Sequence, residues 1–388
     1  MSYKIMSVLE KNTGGKSYKA HKYCLDYAER PSIDYGEDSI IWQSAGETNR
    51  NIHTYIPLKH MSDIFSRTGE TWFTYFLDGS RRVFKVDDIA FTYRGRGVIY
   101  PVIAGQIGVG CCKRENRQLK CEKYEPEFVL SLPDKADADG KPGFYPALVS
   151  KINNCPDVKR LGIEFSKVLP YKTSKDSQNK FEDLGTACVQ DLMITREKEM
   201  VADLVRMGKL NQDNYLIKDG SLEYRPNKQD RANTKNLQVF RNNYNWVLGV
   251  SKNFNPEICK DVNGKSNPEF IAKLPLYHRT PAAKYKNPDW LGDTEFAVWY
   301  VRIRDKSRTR TPFDGVLKVE KILVTQDELE NGIDSELIDA LSAQIINERS
   351  PVCYGSDLRW ANHLYPIYLT ESYVKSKYIS AQSFLQLF

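Results

Sequence analysis

The sequence predicts a mixed α/β sheet flanked by helices, and two observations carry that expectation. A strand-rich block comes first, over 72–109, punctuated by Gly79, Gly95, Gly97, Gly105 and Gly108. Helical and extended patterns then alternate: a long helix over 184–207, a strand at 215–218, a helix at 233–243 and an extended segment at 246–252. A chain of 388 residues accommodates one large elaborated domain or two ordinary ones.

Bulk composition narrows the class. Hydrophobic residues make up 41% and charged residues 27%, the balance of a soluble globular protein. No apolar run approaches the roughly 20 residues a membrane helix needs. The polar start of the chain carries no secretory pattern, so a cytoplasmic protein with no membrane partner is expected. The net charge of +6 is compatible with a nucleic-acid partner. Of the eight cysteines, Cys111 and Cys112 are adjacent and Cys121 follows at no common zinc spacing, which reads as reduced thiols. The five histidines, His21, His53, His60, His278 and His363, form no HxxxH or HxH pair, which argues against a histidine-based zinc enzyme.

The elements follow in order. Residues 1–70 read as an irregular N-terminal elaboration with a strand at 39–43 and a short helix at 61–67. The segment 72–77 is a strand leading to Asp78; 81–86 returns, 89–93 is a third strand and 98–109 a longer one. The glycines from Gly105 to Gly110 lack the GxGxxG spacing and are expected to allow sheet curvature or close backbone approach. Residues 125–143, with Asp134-Lys-Ala-Asp-Ala-Asp-Gly-Lys-Pro, read as a surface loop without the closing glutamate of a calcium-binding loop. After a loop-heavy stretch at 253–292 come strands at 296–304 and 315–323, a helix at 336–347 and a last helical region over 357–378.

Glu197 is the most informative residue. At 100° per residue Met193, Met200, Val201 and Leu204 fall within about 60° of it, so a carboxylate sits on the apolar face of its helix. Such a group must be protonated, paired with a cation or bound to a metal. Two apolar segments, Thr74-Tyr-Phe-Leu-Asp78-Gly-Ser and Tyr215-Leu-Ile-Lys-Asp219-Gly-Ser, each deliver an aspartate to a strand end. Asp-Gly is a common turn dipeptide, and Asp314-Gly315 shows that background; a structural ion pair is the plain alternative for Glu197. Lys252 ends another apolar strand, either as a phosphate contact or as an ordinary strand-end lysine. The loop Asp305-Lys-Ser-Arg-Thr-Arg-Thr311 offers Lys306, Arg308 and Arg310 either to solvent or to a DNA backbone.

The order of these pieces resembles the NurA nuclease family over about residues 70–380. The set is the strand-borne Asp78-Gly-Ser, Met193-x-x-x-Glu197, the strand ending Asp219-Gly-Ser-Leu222, Leu248-Gly-Val-Ser-Lys252, and Tyr365-Pro366-x-x-Leu369 opening a helix. The resemblance implies a ribonuclease-H-like mixed sheet flanked by helices, with insertions near 123–180 and 253–292 in a 71–388 nuclease domain. It further implies a metal-dependent DNA nuclease holding two Mn²⁺ or Mg²⁺ ions on Asp78, Glu197 and Asp219, with Lys252 beside the scissile phosphate. The family commonly places a histidine or aspartate shortly after Tyr-Pro-x-x-Leu; here Glu371 or Tyr373 takes that role, or the site is altered.

The implied partners are DNA, a HerA-type hexameric ATPase and a second copy of the chain, in DNA-end processing or antiphage defence. No GxxxxGK[ST] occurs, so the chain has no motor of its own. Two rival readings stay open: a structure-specific resolvase- or integrase-like enzyme, and a catalytically silent structural partner of the translocase. The C-terminal Ser383-Phe-Leu-Gln-Leu-Phe388 must bury its apolar side chains, either on a partner or on its own subunit.

Overall fold

The structure, a computed structural model, describes residues 4–26, 40–51, 53–93, 96–137, 139–173, 180–222, 234–261, 263–287, 294–351 and 360–388. Among these, ten strands form one continuous sheet path. In chain order they are β1 (Ile41–Ala45), β2 (Phe73–Tyr93), β3 (Arg96–Glu115), β4 (Gln118–Pro133), β5 (Phe165–Tyr171), β6 (Tyr215–Asp219), β7 (Val247–Ser251), β8 (Ala283–Lys286), β9 (Glu295–Arg302) and β10 (Val316–Ile322). They lie side by side as β1-β8-β9-β10-β7-β6-β2-β3-β4-β5.

The centre of the path is a mixed five-stranded core, β4-β3-β2-β6-β7. β2, β3 and β4 are successive antiparallel neighbours; β6 joins β2 in parallel on its other side, and β7 joins β6 in parallel. Antiparallel neighbours can be linked by tight turns, whereas parallel ones need a crossover. The helix Phe181–Arg206 lies in the chain ahead of β6, and the helix Thr234–Asn243 spans the connection to β7.

Helices cover both faces because the strand side chains alternate. Tyr75, Leu77 and Val83 join Val189, Met193, Met200, Val201 and Leu204 of the long helix in one apolar cluster. Phe73 and Phe76 join Ile338, Leu341 and Ile345 of the helix Ser335–Asn347 in another. Each fully buried side chain of this kind contributes about 1.5–3 kcal/mol. The spaced glycines of β3 serve close approach: a Cβ at Gly105 would lie 2.8 Å from Val189, and one at Gly110 would lie 2.5 Å from Val374. Among the described residues no helix is long and apolar enough to cross a membrane.

Several expectations change. Residues 73–93 are not a strand, a turn and two more strands but the single strand β2, with irregularities between Phe73 and Tyr75 against β6 and between Lys85 and Asp87 against β3. Gly79 pairs with Val109, so the Asp78-Gly79 dipeptide is held extended by β3 instead of folding into a turn. The expected surface loop at 125–143 begins only at Asp134. Before it, β4 carries Val129, Leu130 and Leu132 buried between β3 and β5. The helices Phe144–Asn153 and Pro156–Leu161 and the strand β5 follow that loop. The expected strand at 39–43 corresponds to β1, with position 39 outside the described residues, as are positions 233 and 357–359 of two expected helices. The last long helix starts at Tyr365, with Pro366 in its first turn, where a missing N–H costs nothing.

The C-terminal segment is buried in its own chain, the second of the two alternatives that the sequence leaves open. Phe384 packs against Phe84, Phe128 and Phe165, and Phe388 against Phe165. Ile5 and Leu9 of the N-terminal helix Ile5–Thr13 belong to the same cluster. The N-terminal residues are also tied to the far edge of the sheet, where β1 pairs with β8 and Glu47 accepts hydrogen bonds from Arg279.

Candidate functional site

The cleft lies where the parallel strands end. The last pair between β2 and β6 is Leu77 with Lys218, and the last between β6 and β7 is Asp219 with Val250. Asp78 therefore stands one residue past its parallel neighbour, Asp219 closes β6, and Lys252 follows the end of β7. Open α/β sheets bind ligands outside the carboxyl ends of their strands. A cleft of about 470 Å³ opens here, with Asp78, Glu197, Lys218, Asp219, Lys252 and Lys318 in its walls. A larger one, about 620 Å³, is lined by a separate set including Trp42, Phe270 and Tyr285, but the clustered charges belong to the smaller.

Strand alternation sorts these charges onto two sides. Asp78 shares a face of β2 with Phe76, and Asp219 shares a face of β6 with Ile217; both faces look toward the helix Tyr365–Ser376. On that side Lys252 Nζ lies 2.9 Å from Asp219 Oδ2 and 3.3 Å from Glu371 Oε2, and Lys375 Nζ lies 2.7 Å from Glu371 Oε1. On the side of the long helix, Lys218 Nζ lies 3.2 Å from Glu197 Oε2. Gly79 is the gap between the two sides, since a Cβ there would meet Glu197 Oε1 at 2.2 Å. Its backbone is ordinary extended strand, so the position requires glycine for space and not for φ.

Asp78 is the group under most electrostatic pressure. It is 6% exposed, and among the described residues no hydrogen bond or ion pair reaches its carboxylate. Burial pushes its pKa well up, and the charges of Asp219 and Glu371 push it further. Burial by itself would lower the Lys252 ammonium, but Asp219, Glu371 and Asp78 outweigh it and hold the pKa above its ordinary value. The same balance, with Glu197 as the main partner, keeps Lys218 high.

The structure thus brings Asp78, Glu197, Asp219 and Lys252 into one cleft. Among the described residues no three His, Cys, Asp or Glu side chains form a ready-made metal-ligand set. The lysines account for that, because Lys252 stands between Asp219 and Glu371 while Lys218 holds Glu197. The donor chemistry nevertheless fits a hard divalent cation: all the acidic donors are carboxylate oxygens, and at Asp78 burial and the neighbouring acids outweigh the charge of Lys252.

Tyr373 is turned elsewhere, with its phenol against Cys121 and its ring edge-on to Tyr124. Glu371 is the residue of that helix that pairs with Lys252 of the cleft wall. Lys306, Arg308 and Arg310 lie on an exposed turn capped by Asp305, outside the cleft walls. Lys218 and Lys318 were not singled out from sequence. A lysine within the apolar run of β6 is the same anomaly as Glu197 within its helix, and the two anomalies are each other's partner. Lys318 and Glu320, 2.6 Å apart, lie on one face of β10, and Ser221 Oγ donates to Glu320 Oε2 at 2.8 Å.

Gly79→Ala tests the gap. The added methyl displaces the Glu197 carboxylate and overpacks the site, at about 1–3 kcal/mol. The expected result is a folded protein whose stability is lower by that amount, read by urea unfolding. Unchanged stability would mean that the Glu197 carboxylate gives way to the methyl at no cost.

No protein-family model matches the chain, and no curated protein matches it. Among solved structures it is similar to the NurA nuclease from Sulfolobus solfataricus, at 12% identity and a TM-score of 0.38, over 85% of this chain and 91% of that one.

Proposed function

We propose that the chain is a divalent-metal-dependent deoxyribonuclease that hydrolyses phosphodiester bonds in the cleft beside Asp78 of β2 and the ends of β6 and β7. The observation that carries this is Asp78, a buried acid beside Asp219 and Glu371 whose ionisation the cluster resists. Asp78, Asp219 and Glu371 would hold Mn²⁺ or Mg²⁺ from one face, and Glu197 would reach across Gly79 from the other. Ions bound there supply an activated water and offset charge on the phosphate. Lys252 and Lys218 keep their protons through the neutral range, so they act as fixed positive charges beside the phosphate and not as bases. Asp78 holds its proton more tightly than an ordinary carboxyl, so cation uptake there favours its release.

The exposed Lys306, Arg308 and Arg310 would hold DNA backbone away from the cleft. With no nucleotide-binding loop in the sequence, movement along DNA requires an external motor. A HerA-type hexameric ATPase and a two-fold nuclease dimer complete the proposed assembly in DNA-end processing or antiphage defence.

One observation favours a second reading. Lysines already neutralise Asp219, Glu371 and Glu197, as in a catalytically silent fold that serves a translocase structurally. Incubating the purified chain with linear duplex and circular single-stranded DNA in Mn²⁺, Mg²⁺ or EDTA separates the two. Cleavage in Mn²⁺ that EDTA abolishes is expected. Bound ion at a hundred times its Kd should also stabilise the fold by about 2.7 kcal/mol. Neither cleavage nor a Mn²⁺-dependent rise in melting temperature would leave the silent reading.

A further inference from the structure

β3 and β4 set two cysteines opposite each other. Cys112 is the register partner of Cys121, just after the irregularity between Cys111 and Cys112. Directly opposed residues of an antiparallel pair have Cα atoms about 4.5 or 5.5 Å apart, depending on the type of pair, and project from the same face. Both separations fall within the range of about 4.4–6.8 Å that disulfides span. The two thiols are free; Cys112 is buried and Cys121 is exposed.

That face is covered by the helix Tyr365–Ser376. The Thr370 hydroxyl, which donates to the Pro366 carbonyl, stands near the Cys112 sulfur, and the Tyr373 phenol stands near the Cys121 sulfur. The neighbouring Cys121, and burial after it, push the Tyr373 phenol up to about 12. Glu371, between these two residues on the helix, pairs with Lys252 in the cleft. The two sulfurs therefore lie under the turn of helix that presents Glu371.

We propose that Cys112 and Cys121 form a reversible intrachain disulfide on exposure to a peroxide, and that the bond unseats the Thr370–Tyr373 turn and lowers activity at the cleft. The regulatory half rests on the nuclease reading; the disulfide half does not. Cys121, as thiolate, attacks a peroxide oxygen and breaks the O–O bond. Its sulfur is oxidised to the sulfenic acid, and hydrogen peroxide is reduced with loss of one water. Cys112 then loses its proton and attacks the sulfenic sulfur; the S–S bond forms, the S–O bond breaks and a second water leaves. Burial pushes the Cys112 thiol up, which makes the exposed Cys121 the one that meets the peroxide.

The full-length reduced protein is treated with hydrogen peroxide, alkylated, digested and mapped by mass spectrometry. Amide hydrogen exchange and DNA cleavage are measured before and after treatment. The expected result is a Cys112–Cys121 linked peptide that dithiothreitol reverses, faster exchange across Tyr365–Ser376, and cleavage lowered at least about tenfold. Cys121→Ser should cleave normally and resist the inhibition. A Cys121 oxidised without linkage, or an interchain link on a non-reducing gel, overturns the disulfide. A linked peptide with unchanged exchange and cleavage overturns the regulatory half. If the reduced protein cleaves no DNA, the nuclease reading fails, and exchange across the helix still decides whether the disulfide unseats it.

Discussion

Asp78→Asn and Asp219→Asn are each expected to lower Mn²⁺-dependent DNA cleavage by at least about 100-fold, the scale of losing one preorganised electrostatic group from an active site. The amide keeps the size of the carboxylate, so the fold persists. Stability should move in the opposite direction for Asp78. Its folded pKa is raised above the ordinary 3.8, by burial first and then by Asp219 and Glu371. Between the two values the unfolded chain releases the proton while the folded one retains it, so this residue's contribution to stability falls as pH rises. Asparagine has no such dependence. In chelator, Asp78→Asn should melt close to wild type below pH 3.8 and above wild type at neutral pH. Saturating Mn²⁺ should reverse that order, because only the wild type gains the full energy of ion binding. Melting curves across pH, with and without Mn²⁺, and a gel-based cleavage assay measure both effects. Wild-type cleavage by both variants would falsify the catalytic assignment.

Glu47→Ala is expected to cost about 3–5 kcal/mol of stability, as for any buried ion pair broken on one side. Glu47 and Arg279 are 1% and 0% exposed. Arg279 donates to the two Glu47 oxygens at 3.0 and 2.8 Å, and the Ala282 N–H donates to the same carboxylate at 2.6 Å. Alanine leaves the guanidinium with Asp339, at 2.5 Å, and the Thr280 carbonyl, at 3.1 Å, and orphans a buried N–H. Glu47→Leu combined with Arg279→Met should recover most of the loss, since apolar replacement of both partners is often neutral. Cleavage per folded molecule should be unchanged, because neither residue lines the charged cleft. Urea unfolding decides the matter: a loss below about 1 kcal/mol would place this pair with exposed ones.

Local pattern makes the long helix and the short strands β6 and β7 legible in the chain, because amphipathic period and strand ends depend on neighbours in sequence. It also singles out Asp78, Glu197, Asp219 and Lys252, since a charge that interrupts an apolar run stands out wherever the run later packs. The extent of β2 is not legible. Asp78-Gly79 is a turn signal that pairing with β3 overrides, and that partner is chosen by the whole sheet. The choice between Glu371 and Tyr373 is equally non-local: two residues apart on a helix, they project about 200° from each other, so only one can face the cleft. Docking of that helix over Gly108 and Gly110 turns Glu371 to Lys252 and Tyr373 to Cys121. The pairing of Glu197 with Lys218, and their separation from Asp78 and Asp219 by one layer of strand, follow from which helix covers which face. Side chains of a strand alternate whatever the sequence around them, but only the packed sheet assigns each alternate row its neighbours.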